Sequence, residues 1–280
     1  MSAVIMDGVA LAKRIKTDIR EWSEKLPYVP HLAVIMVGDN PASRTYISGK
    51  IHDCSECGFE SHVHFFTDRT TENELVKLIE HLNRAPSVHG IIVQLPLPSH
   101  IDPHYVINAI DPGKDVDCLH PLNVANNVIH QGRGPTPCTP AGIMRLLQEY
   151  RCDLDGKRAV VIGRSDIVGT PMAFMLQHGN ATVTVCHSHT NDLAWVTHQA
   201  DILVSAVGQQ GLVIPEMVKP GAIVIDVGIT RDPDGKLHGD VDFERVKEVA
   251  SHITPVPGGV GPMTRAMLMY NMWEVCHERS

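Results

Sequence analysis

The feature that most constrains this chain is a regular alternation of short apolar runs with helical patterns. In the first half the runs are HLAVIMVG (31–38), FESHVHFF (59–66) and HGIIVQLPLP (89–98), and helical patterns cover residues 43–57 and 71–84 between them. Each run has the length of a buried strand, and prolines end the third one. Strands separated by single helices favour right-handed βαβ units, so the pattern predicts an α/β fold with a parallel sheet.

A second series of the same kind begins at GKRAVVIG (156–163). Before it lies a segment rich in proline, glycine and aspartate, roughly residues 111–138, which is too punctuated for a regular element and divides the chain. Thr139-Pro140 is a good helix start, with threonine as N-cap and proline in the first turn. Further elements are expected as strands at 181–186, 200–208, 221–228 and, more weakly, 252–256, and as a last helix at roughly 263–277.

Composition excludes several classes of protein. The 280 residues are enough for two domains or one large α/β domain, and 43% of them are hydrophobic. The net charge of −8, without a long basic run, gives no electrostatic support for nucleic-acid binding. No window holds ~18 consecutive apolar residues, so no membrane span is expected. The N-terminus reaches charged residues too early for a signal peptide, and the seven scattered cysteines fit reduced thiols in the cytoplasm.

The helical pattern at 43–57 turns a lysine towards its apolar side. At ~100° per residue, Ile47, Ile51, Cys54 and Cys57 share one face of this helix. Lys50 falls on the same face, together with Ser43 and Tyr46. Removal from water destabilises the charged form of a lysine, which suits it to proton transfer near neutral pH. The alternative is an amphipathic side chain that extends past the apolar surface to solvent.

Gln94 ends the third strand of the first series, in IIVQLP. Ligands of open parallel sheets collect at the carboxyl ends of the strands, and the 43–57 helix begins at that end of the first strand. Tyr46 and Lys50 are four residues apart on that helix, so both can converge with Gln94 on one pocket. This set of side chains is the candidate catalytic centre of the first half.

Three aspartates occur in DPGKDVDC, namely Asp111, Asp115 and Asp117. Their spacing does not match a calcium loop, and such residues commonly cap turns. A single carboxylate can instead accept two parallel N–H bonds from an amino-pyrimidine edge. Cys54-x-x-Cys57 lies on the apolar helix face and would need two further ligands to bind zinc, so no metal site is predicted.

The second half contains a strand, a glycine turn and a helix in VVIGRSDIVGTPMAFMLQHG. This order brings backbone N–H groups and a helix N-terminus to a pyrophosphate. The G-x-G-x-x-G pattern is broken, because Ser165 and Val168 replace the second and third glycines after Gly163, and Gly169 comes one residue later. A tight turn in an ordinary α/β unit is the alternative. The later strands of this series favour a Rossmann-like, doubly wound dinucleotide-binding domain.

The residues after the glycine turn indicate the cofactor preference. An NAD site usually has an acidic residue ~20 positions later, whereas the second strand here ends in CHSHT, and Asp192 comes too late. Arg164 in the turn and the hydroxyl of Ser188 can together hold a 2′-phosphate, which favours NADP. A solvated loop arginine is the alternative interpretation.

Seven motifs occur in order along almost the whole chain and together resemble one family, the bifunctional methylenetetrahydrofolate dehydrogenase/methenyltetrahydrofolate cyclohydrolases. The motifs are VGDNPASRTYISGK, GIIVQLPLP, KDVDCLHPLN, TPCTPAGIM, GKRAVVIGRSDIVGTP, GAIVIDVG and TPVPGGVGPMT. The resemblance implies a homodimer and two α/β domains flanking a cleft. It implies a folate-binding catalytic domain at 1–139 and 258–280 and an NADP-binding Rossmann-like domain at 140–257.

The resemblance also implies roles for individual residues. Lys50 is expected to be the acid–base residue, assisted by Tyr46 and Gln94, and Asp117 is expected to grip the pterin ring. Ser43, Tyr46 and the rigid, glycine-rich loop at Pro257, Gly258 and Gly259 are expected to border the folate. The expected NADP-binding residues are Thr139, Gly163, Arg164, Ser165, Val168, Ser188 and Ile229.

One departure from the family is visible, since Cys118 stands where glycine commonly follows DVD. A side chain there narrows the backbone conformations allowed beside Asp117. The expected activity is oxidation of methylenetetrahydrofolate with NADP, followed by hydrolysis to 10-formyltetrahydrofolate, in one-carbon metabolism. A monofunctional dehydrogenase of the same family and a non-catalytic NADP-binding sensor are the alternatives.

Overall fold

A computed structural model of the protein describes residues 2–130, 134–232 and 234–277. The chain divides into two compact units. The described residues of ranges 13–138 and 265–280 form the three-stranded unit, and those of ranges 1–12 and 139–264 form the six-stranded unit. Each unit contains a parallel sheet with helices, so the predicted α/β class is confirmed.

The strands and helices are numbered in chain order. The strands are β1 Val4–Ile5, β2 His31–Val37, β3 Glu60–Phe66, β4 Gly90–Val93, β5 Arg158–Ile162, β6 Thr182–Cys186, β7 Ile202–Ser205, β8 Ile223–Asp226, β9 Thr230–Arg231, β10 Leu237–His238 and β11 His252–Ile253. The helices are α1 Gly8–Ser23, α2 Pro41–Glu56, α3 Glu72–Arg84, α4 Pro103–Asn108, α5 Pro121–Val128, α6 Cys138–Glu149, α7 Gly169–His178, α8 Leu193–Thr197, α9 Phe243–Val246 and α10 Val260–His277. Short 3₁₀ turns cover Pro112–Lys114 and Pro215–Met217.

The three-stranded sheet has the order β3-β2-β4, with every pair parallel. Its central strand β2 is almost entirely buried, as its run of apolar residues predicts. The helix α3 covers the sheet with Leu75, Ile79 and Leu82. It begins with a capping box, in which Thr71 and Glu74 satisfy each other's backbone N–H groups. These elements confirm the strands and helices predicted for this part of the chain.

The six-stranded sheet has the order β1-β11-β8-β7-β5-β6, and all its pairs are parallel. The chain passes from β5 outwards to β6 and then returns to β7 on the other side of β5. The strand order therefore reverses between β5 and β7, which is where doubly wound sheets bind their ligands. An apolar core cluster that includes Ile162, Leu203 and Val224 lies in this unit.

Several elements differ from the sequence prediction. The segment predicted to be irregular contains α5, because Pro121 occupies the first helical position and the side chain of His120 accepts the N–H of Leu122. The helix α6 already includes Cys138, so Thr139 lies inside its first turn and the predicted N-cap is wrong. The Thr139 hydroxyl instead hydrogen-bonds Thr264 Oγ1 at 2.9 Å. Residues 4–5 pair with β11 and belong to the six-stranded unit.

Candidate functional site

Lys50 is turned into the protein, as its position on the helical wheel predicts. It lies on the helix α2, the next element after β2, and only 7% of the residue is exposed. Its Nζ donates a hydrogen bond to Oδ2 of Asp117 at 3.4 Å. Ser43, Ile47 and Cys54 on the same helix face are also buried. The structure therefore brings together the lysine and the aspartate that the motifs single out.

Tyr46 does not share this burial. The wheel places it ~40° from Lys50, yet 43% of the residue is exposed. Asp53, further along α2, and Cys57, directly after its end, lie at neighbouring angles and are buried. The wheel gives the direction of a side chain but not how far the covering elements extend, and Tyr46 lies near the beginning of the helix. The expectation that Tyr46 faces inward is therefore wrong, and its phenol is accessible in the three-stranded unit.

The three aspartates after α4 separate into two kinds. Asp111 caps the 3₁₀ turn by accepting the N–H of Gly113, and buried Asp115 accepts the N–H groups of Leu119 and His120. Burial raises the pKa of Asp115, and these hydrogen bonds oppose the rise. Asp117 keeps 23% of its side chain exposed beside Lys50. Asp111 and Asp115 therefore shape the turn, while Asp117 remains available to a ligand.

Asn271 on α10 is a wholly buried residue that sequence reasoning missed. Its Nδ2 donates to the carbonyl oxygens of Val116 and Thr136, at 2.8 Å each, and its Oδ1 accepts the N–H of Thr136 at 3.2 Å. Asn271 thus ties the segment carrying Asp117 to the segment that leads into α6. It lies in the apolar run RAMLMYNMWEVC, where no local signal marks it.

Two thiols flank Asp117. Cys138 donates weakly to Asp117 Oδ1 at 3.9 Å, and burial raises the pKa of Cys138 well above its usual value. Cys118 has a φ of 59°, in the left-handed region that favours glycine. Its sulfur accepts a hydrogen bond from Nδ2 of Asn127 at 3.4 Å. The chain therefore keeps at Cys118 the backbone shape that a glycine adopts readily, despite carrying a side chain.

Gln94 comes directly after β4, as predicted. Its Nε2 donates to the carbonyl of Leu95 at 2.7 Å, while its Oε1 is buried and accepts no hydrogen bond from the described residues. A buried amide oxygen without a donor is costly unless a ligand or water supplies one. Ile91 of β4 forms a parallel bridge to Asp115. The two chain segments therefore run in the same direction from this pair, one to Gln94 and the other to Asp117.

The glycine turn of the six-stranded unit has the close packing that a dinucleotide site needs. Gly163 has a φ of 116°, and a Cβ on it would lie 2.5 Å from the carbonyl oxygen of Ala206. A Cβ on Gly169 would lie 2.3 Å from the carbonyl oxygen of Gly163. Gly169 thus performs the helix-packing role of the third glycine, one residue late. Ser165 Oγ accepts the N–H groups of Val168 and Gly169 at the beginning of α7.

Arg164 and Ser188 occupy matching positions at the ends of adjacent strands. Ile162 of β5 pairs with Cys186 of β6, and each candidate residue lies two positions further along. Both are exposed. Asp192, the first acidic residue after β6, is used as the N-cap of α8, where it accepts the N–H of Trp195. The residues present therefore fit a dinucleotide with a 2′-phosphate, such as NADP, better than NAD, whose ribose hydroxyls usually bind a carboxylate.

The other expected ligand-binding residues also lie in this unit. Ile229 is exposed shortly after β8. Gly258 has a φ of 107°, and its carbonyl accepts the N–H of Gly8. Gly259 is packed so tightly that a Cβ would lie 2.7 Å from the carbonyl oxygen of Pro255. The loop at 257–259 is therefore fixed by glycine-specific contacts, as its composition suggests.

Two buried acids at the carboxyl edge of the six-stranded sheet were also missed. Asp226 ends β8 and Asp240 lies shortly after β10, and both accept hydrogen bonds from backbone N–H groups. Burial raises the pKa of Asp226 to about 7, against the lowering effect of those hydrogen bonds. Asp226 ends an apolar run and Asp240 lies in a stretch with the local pattern of a turn, and neither pattern indicates that the two carboxylates meet.

The cysteine pair on α2 is consistent with packing. Cys54 and Cys57 are wholly buried, and burial raises the pKa of each thiol to about 12. No group of three metal-ligating side chains occurs in the part of the chain that the structure describes. In the same ranges, no helix is long and apolar enough to cross a bilayer.

A doubly wound parallel sheet with a glycine turn at its switch point defines an α/β protein of the dinucleotide-binding class. Comparison with known families narrows this class. The model of the tetrahydrofolate dehydrogenase/cyclohydrolase catalytic domain matches residues 6–117, and the model of the corresponding NAD(P)-binding domain matches residues 137–280. The chain belongs to the tetrahydrofolate dehydrogenase/cyclohydrolase family, as its motifs indicate.

Individual relatives match over nearly the whole chain. The bifunctional protein FolD of a Polaromonas species is 51% identical over 277 residues, which cover 98% of each chain. The bifunctional FolD structure from Campylobacter jejuni is 49% identical, with a TM-score of 0.98 over 100% of each chain. The Trypanosoma brucei enzyme, solved with NADP and an inhibitor, is 40% identical, with a TM-score of 0.95 over 100% of this chain and 99% of that one.

Proposed function

We propose that this protein oxidises methylenetetrahydrofolate to methenyltetrahydrofolate with NADP and then hydrolyses the product to 10-formyltetrahydrofolate, as one step of one-carbon metabolism. Family membership supports both reactions. The observation that carries the second reaction is the burial of Lys50 with its Nζ 3.4 Å from Asp117. An amine held out of water beside an accessible carboxylate suits proton transfer at a bound, nitrogen-rich ring.

The hydrolysis requires protons to move at two points. Water adds to the methenyl carbon and loses a proton. The hydroxyl of this adduct then loses its proton as the formyl C=O bond forms, while the bond from that carbon to one ring nitrogen breaks and the nitrogen gains a proton. We assign the proton transfers to Lys50. Gln94 presents a buried oxygen that lacks a donor and can hold the water or a ring N–H group. Asp117 accepts paired N–H bonds from the pterin edge, and the exposed ring of Tyr46 provides a surface against which the pterin can stack.

NADP, when bound, accepts the hydride from the methylene carbon. Gly163 packs closely against Ala206, and residues 164–167 of the turn are exposed, so a pyrophosphate can bind there beside α7. We assign Arg164 and Ser188 to the 2′-phosphate. Thr139, Ser165, Val168 and Ile229 complete the proposed NADP-binding set.

We assign folate binding to residues of α2 and of the glycine-rich loop. Ser43 and Tyr46 are the proposed contacts from α2, and Pro257, Gly258 and Gly259 are those from the glycine-rich loop. In this proposal residues 1–139 and 258–280 provide the folate-binding catalytic domain, and residues 140–257 provide the NADP-binding domain.

A single assay tests the proposal against its alternatives. The purified protein is mixed with methylenetetrahydrofolate and NADP, and NADPH and the methenyl chromophore are measured together. We expect NADPH to form while the methenyl signal stays low, because the product is hydrolysed. Accumulation of the methenyl compound without formyl product would identify a monofunctional dehydrogenase. NADP binding without NADPH formation would identify a sensor.

We further propose that the protein is a homodimer that associates through β3. Within the described residues β3 pairs with β2 alone, so it is an edge of the sheet, and 62% of Phe65 on it is exposed. Exposed apolar edge strands commonly pair with a second copy. Light scattering should report a dimer for the wild type and a monomer for Phe65→Glu. Tyr105→Glu, at an exposed aromatic residue on α4, is the control and should remain dimeric.

The proposed compartment is the cytoplasm. None of the seven cysteines, all of which lie in the described ranges, forms a disulfide, and six of them are buried, which fits a reducing environment.

A further inference from the structure

The loop after β7 forms one side of the switch-point crevice. Its backbone passes Gly163, because the carbonyl oxygen of Ala206 occupies the space that a Cβ on Gly163 would need. Residues 207–209 are exposed. This loop and the glycine turn therefore meet at the place where the strand order reverses, and a ligand in the crevice lies against both.

A wholly buried carboxylate fixes this exposed loop from below. Oδ2 of Asp240 accepts the Ser205 hydroxyl and the N–H of Val207, each at 2.9 Å. Its Oδ1 accepts the N–H of Gln209 at 2.8 Å. Both oxygens are thus occupied by three donors that lie within five consecutive residues, from Ser205 at the end of β7 to Gln209 in the loop. Because the donors lie so close together along the backbone, the loop cannot change shape without releasing the carboxylate.

A second buried carboxylate fixes Asp240 itself. Oδ1 of Asp226 accepts the N–H groups of Asp240 and Gly228, and its Oδ2 accepts the N–H of Val241. Glycine is required at Gly228 and Gly239, since a Cβ on either would lie about 2 Å from a carboxylate oxygen. Among the described residues, neither acid takes part in an ion pair. The two carboxylates therefore connect the end of β8 to the loop after β7.

A structural role alone does not explain why these groups are acids. Burying a carboxylate costs several kcal/mol, and apolar residues of similar volume often stabilise a core as well or better. What a carboxylate adds is two oxygens that accept several N–H bonds and hold a loop in one conformation. A loop that is already ordered loses less conformational freedom when a ligand binds.

We propose that Asp240 is a positioning residue for NADP, which holds residues 206–209 against the glycine turn so that the cofactor meets a preformed surface, with Asp226 as its support. The inference rests on the proposed function, because it concerns the binding site of that cofactor. It adds two acids that make no contact with the cofactor themselves.

The test uses Asp240→Asn in the full chain. Asparagine keeps the size of aspartate but has one accepting oxygen, so at least one loop N–H loses its acceptor. We expect the amides of Val207 or Gln209 to exchange with deuterium faster in the protein without ligand. We expect the Kd for NADP, measured by calorimetry, to rise about tenfold or more. Hydrolysis of methenyltetrahydrofolate in the absence of NADP should stay within about twofold of wild type.

The matched control is Asp201→Asn. Asp201 also accepts a backbone N–H, that of Arg158 at 2.9 Å, but it precedes β7 at the amino edge of the same sheet. Its replacement should leave the Kd for NADP within about twofold of wild type. A tenfold loss of affinity in this variant would mean that any carboxylate of the sheet affects binding, and would overturn the specific role of Asp240.

Three other results would overturn the proposal. The Kd for NADP could stay unchanged although the loop amides exchange faster. Affinity and NADP-independent hydrolysis could fall together in Asp240→Asn and in the milder Ser205→Ala. If Asp240→Asn fails to fold, the Ser205→Ala variant tests the proposal in its place. It should raise the Kd for NADP about threefold and leave hydrolysis unchanged. If the wild-type protein binds no NADP, the cofactor assignment itself is refuted. This result needs no variant.

Discussion

Two buried carboxylates, one in each unit, are held in opposite ways. Asp53 on α2 of the three-stranded unit is 1% exposed and is met by cations, with Lys16 Nζ 2.7 Å from Oδ1 and Arg265 Nε 3.3 Å from Oδ2. Asp240 in the six-stranded unit is met by backbone N–H groups and one hydroxyl. Side-chain cations reach from distant helices, so they fix one helix against others. Backbone donors come from one loop, so they fix the shape of that loop.

This difference matches what each carboxylate holds in place, a helix for Asp53 and a loop for Asp240. Asp53 lies one turn after Lys50, so the cations on α1 and α10 hold the helix that carries the proposed acid–base residue. Arg265 also packs over Gly49, where a Cβ would lie 2.4 Å from its Nη1. The proposed catalytic lysine thus depends on packing between helices, whereas the proposed cofactor surface depends on a loop anchored by amides.

The largest expected effect comes from removing a cation. Lys16→Met leaves the buried Asp53 carboxylate without its hydrogen bond and should lower the free energy of unfolding by about 3 kcal/mol. Lys157→Met is the control, because Lys157 pairs at 3.6 Å with Asp153 and both side chains are well exposed. It should cost less than about 1 kcal/mol in the same urea titration. Equal losses in the two variants would contradict the distinction drawn for Asp53.

An effect of similar size is expected from pH in the six-stranded unit. Burial raises the pKa of Asp226 from 3.8 to about 7, so the folded state binds this proton more tightly than the unfolded state. The contribution of Asp226 is fully present below about pH 4 and is lost as the pH rises through about 7, by on the order of a few kcal/mol. Asp226→Asn should flatten the stability profile between these limits. An unchanged slope would show that the carboxyl is not protonated in the folded protein.

The smallest effect is expected in the three-stranded unit and has the opposite sign. Burial lowers the pKa of His31 and of His64, and nearby His62 adds to both shifts. The unfolded chain therefore binds protons that the folded chain rejects, and stability is lost as the pH falls below about 6.5. Both rings are partly exposed, so the loss is about 0.5 kcal/mol. The double variant His31→Gln/His64→Gln should remove it, and a steeper acid loss in the variant would contradict the sign.

Much of the fold and part of the candidate site could be predicted from local patterns. The apolar runs located β2 and β5 because the central strands of parallel sheets are buried on both faces. The wheel located Lys50 because its helix has one covered side. Gly163 and Gln94 were found because both lie directly after such strands, where ligands of parallel sheets collect.

The remaining features depend on contacts that local patterns do not record. Asp226 and Asp240 are fourteen positions apart and meet only after β8 and the β9–β10 hairpin have formed. Asn271 lies in an apolar helix whose partners, Val116 and Thr136, are more than a hundred residues away. Tyr46 is a different case. The wheel gives the direction of its side chain, but it does not record how far the covering elements extend, so the exposure of Tyr46 was not predicted.

The central claim is that one buried amine, Lys50, moves the protons of hydrolysis. Its most direct test is the rate of methenyltetrahydrofolate hydrolysis by Lys50→Met, measured together with the Kd for NADP. We expect hydrolysis to fall by about a thousandfold or more, because general acid–base catalysis is lost, while NADP binds within about twofold of wild type. Hydrolysis at the wild-type rate in a variant that still binds NADP would contradict the account.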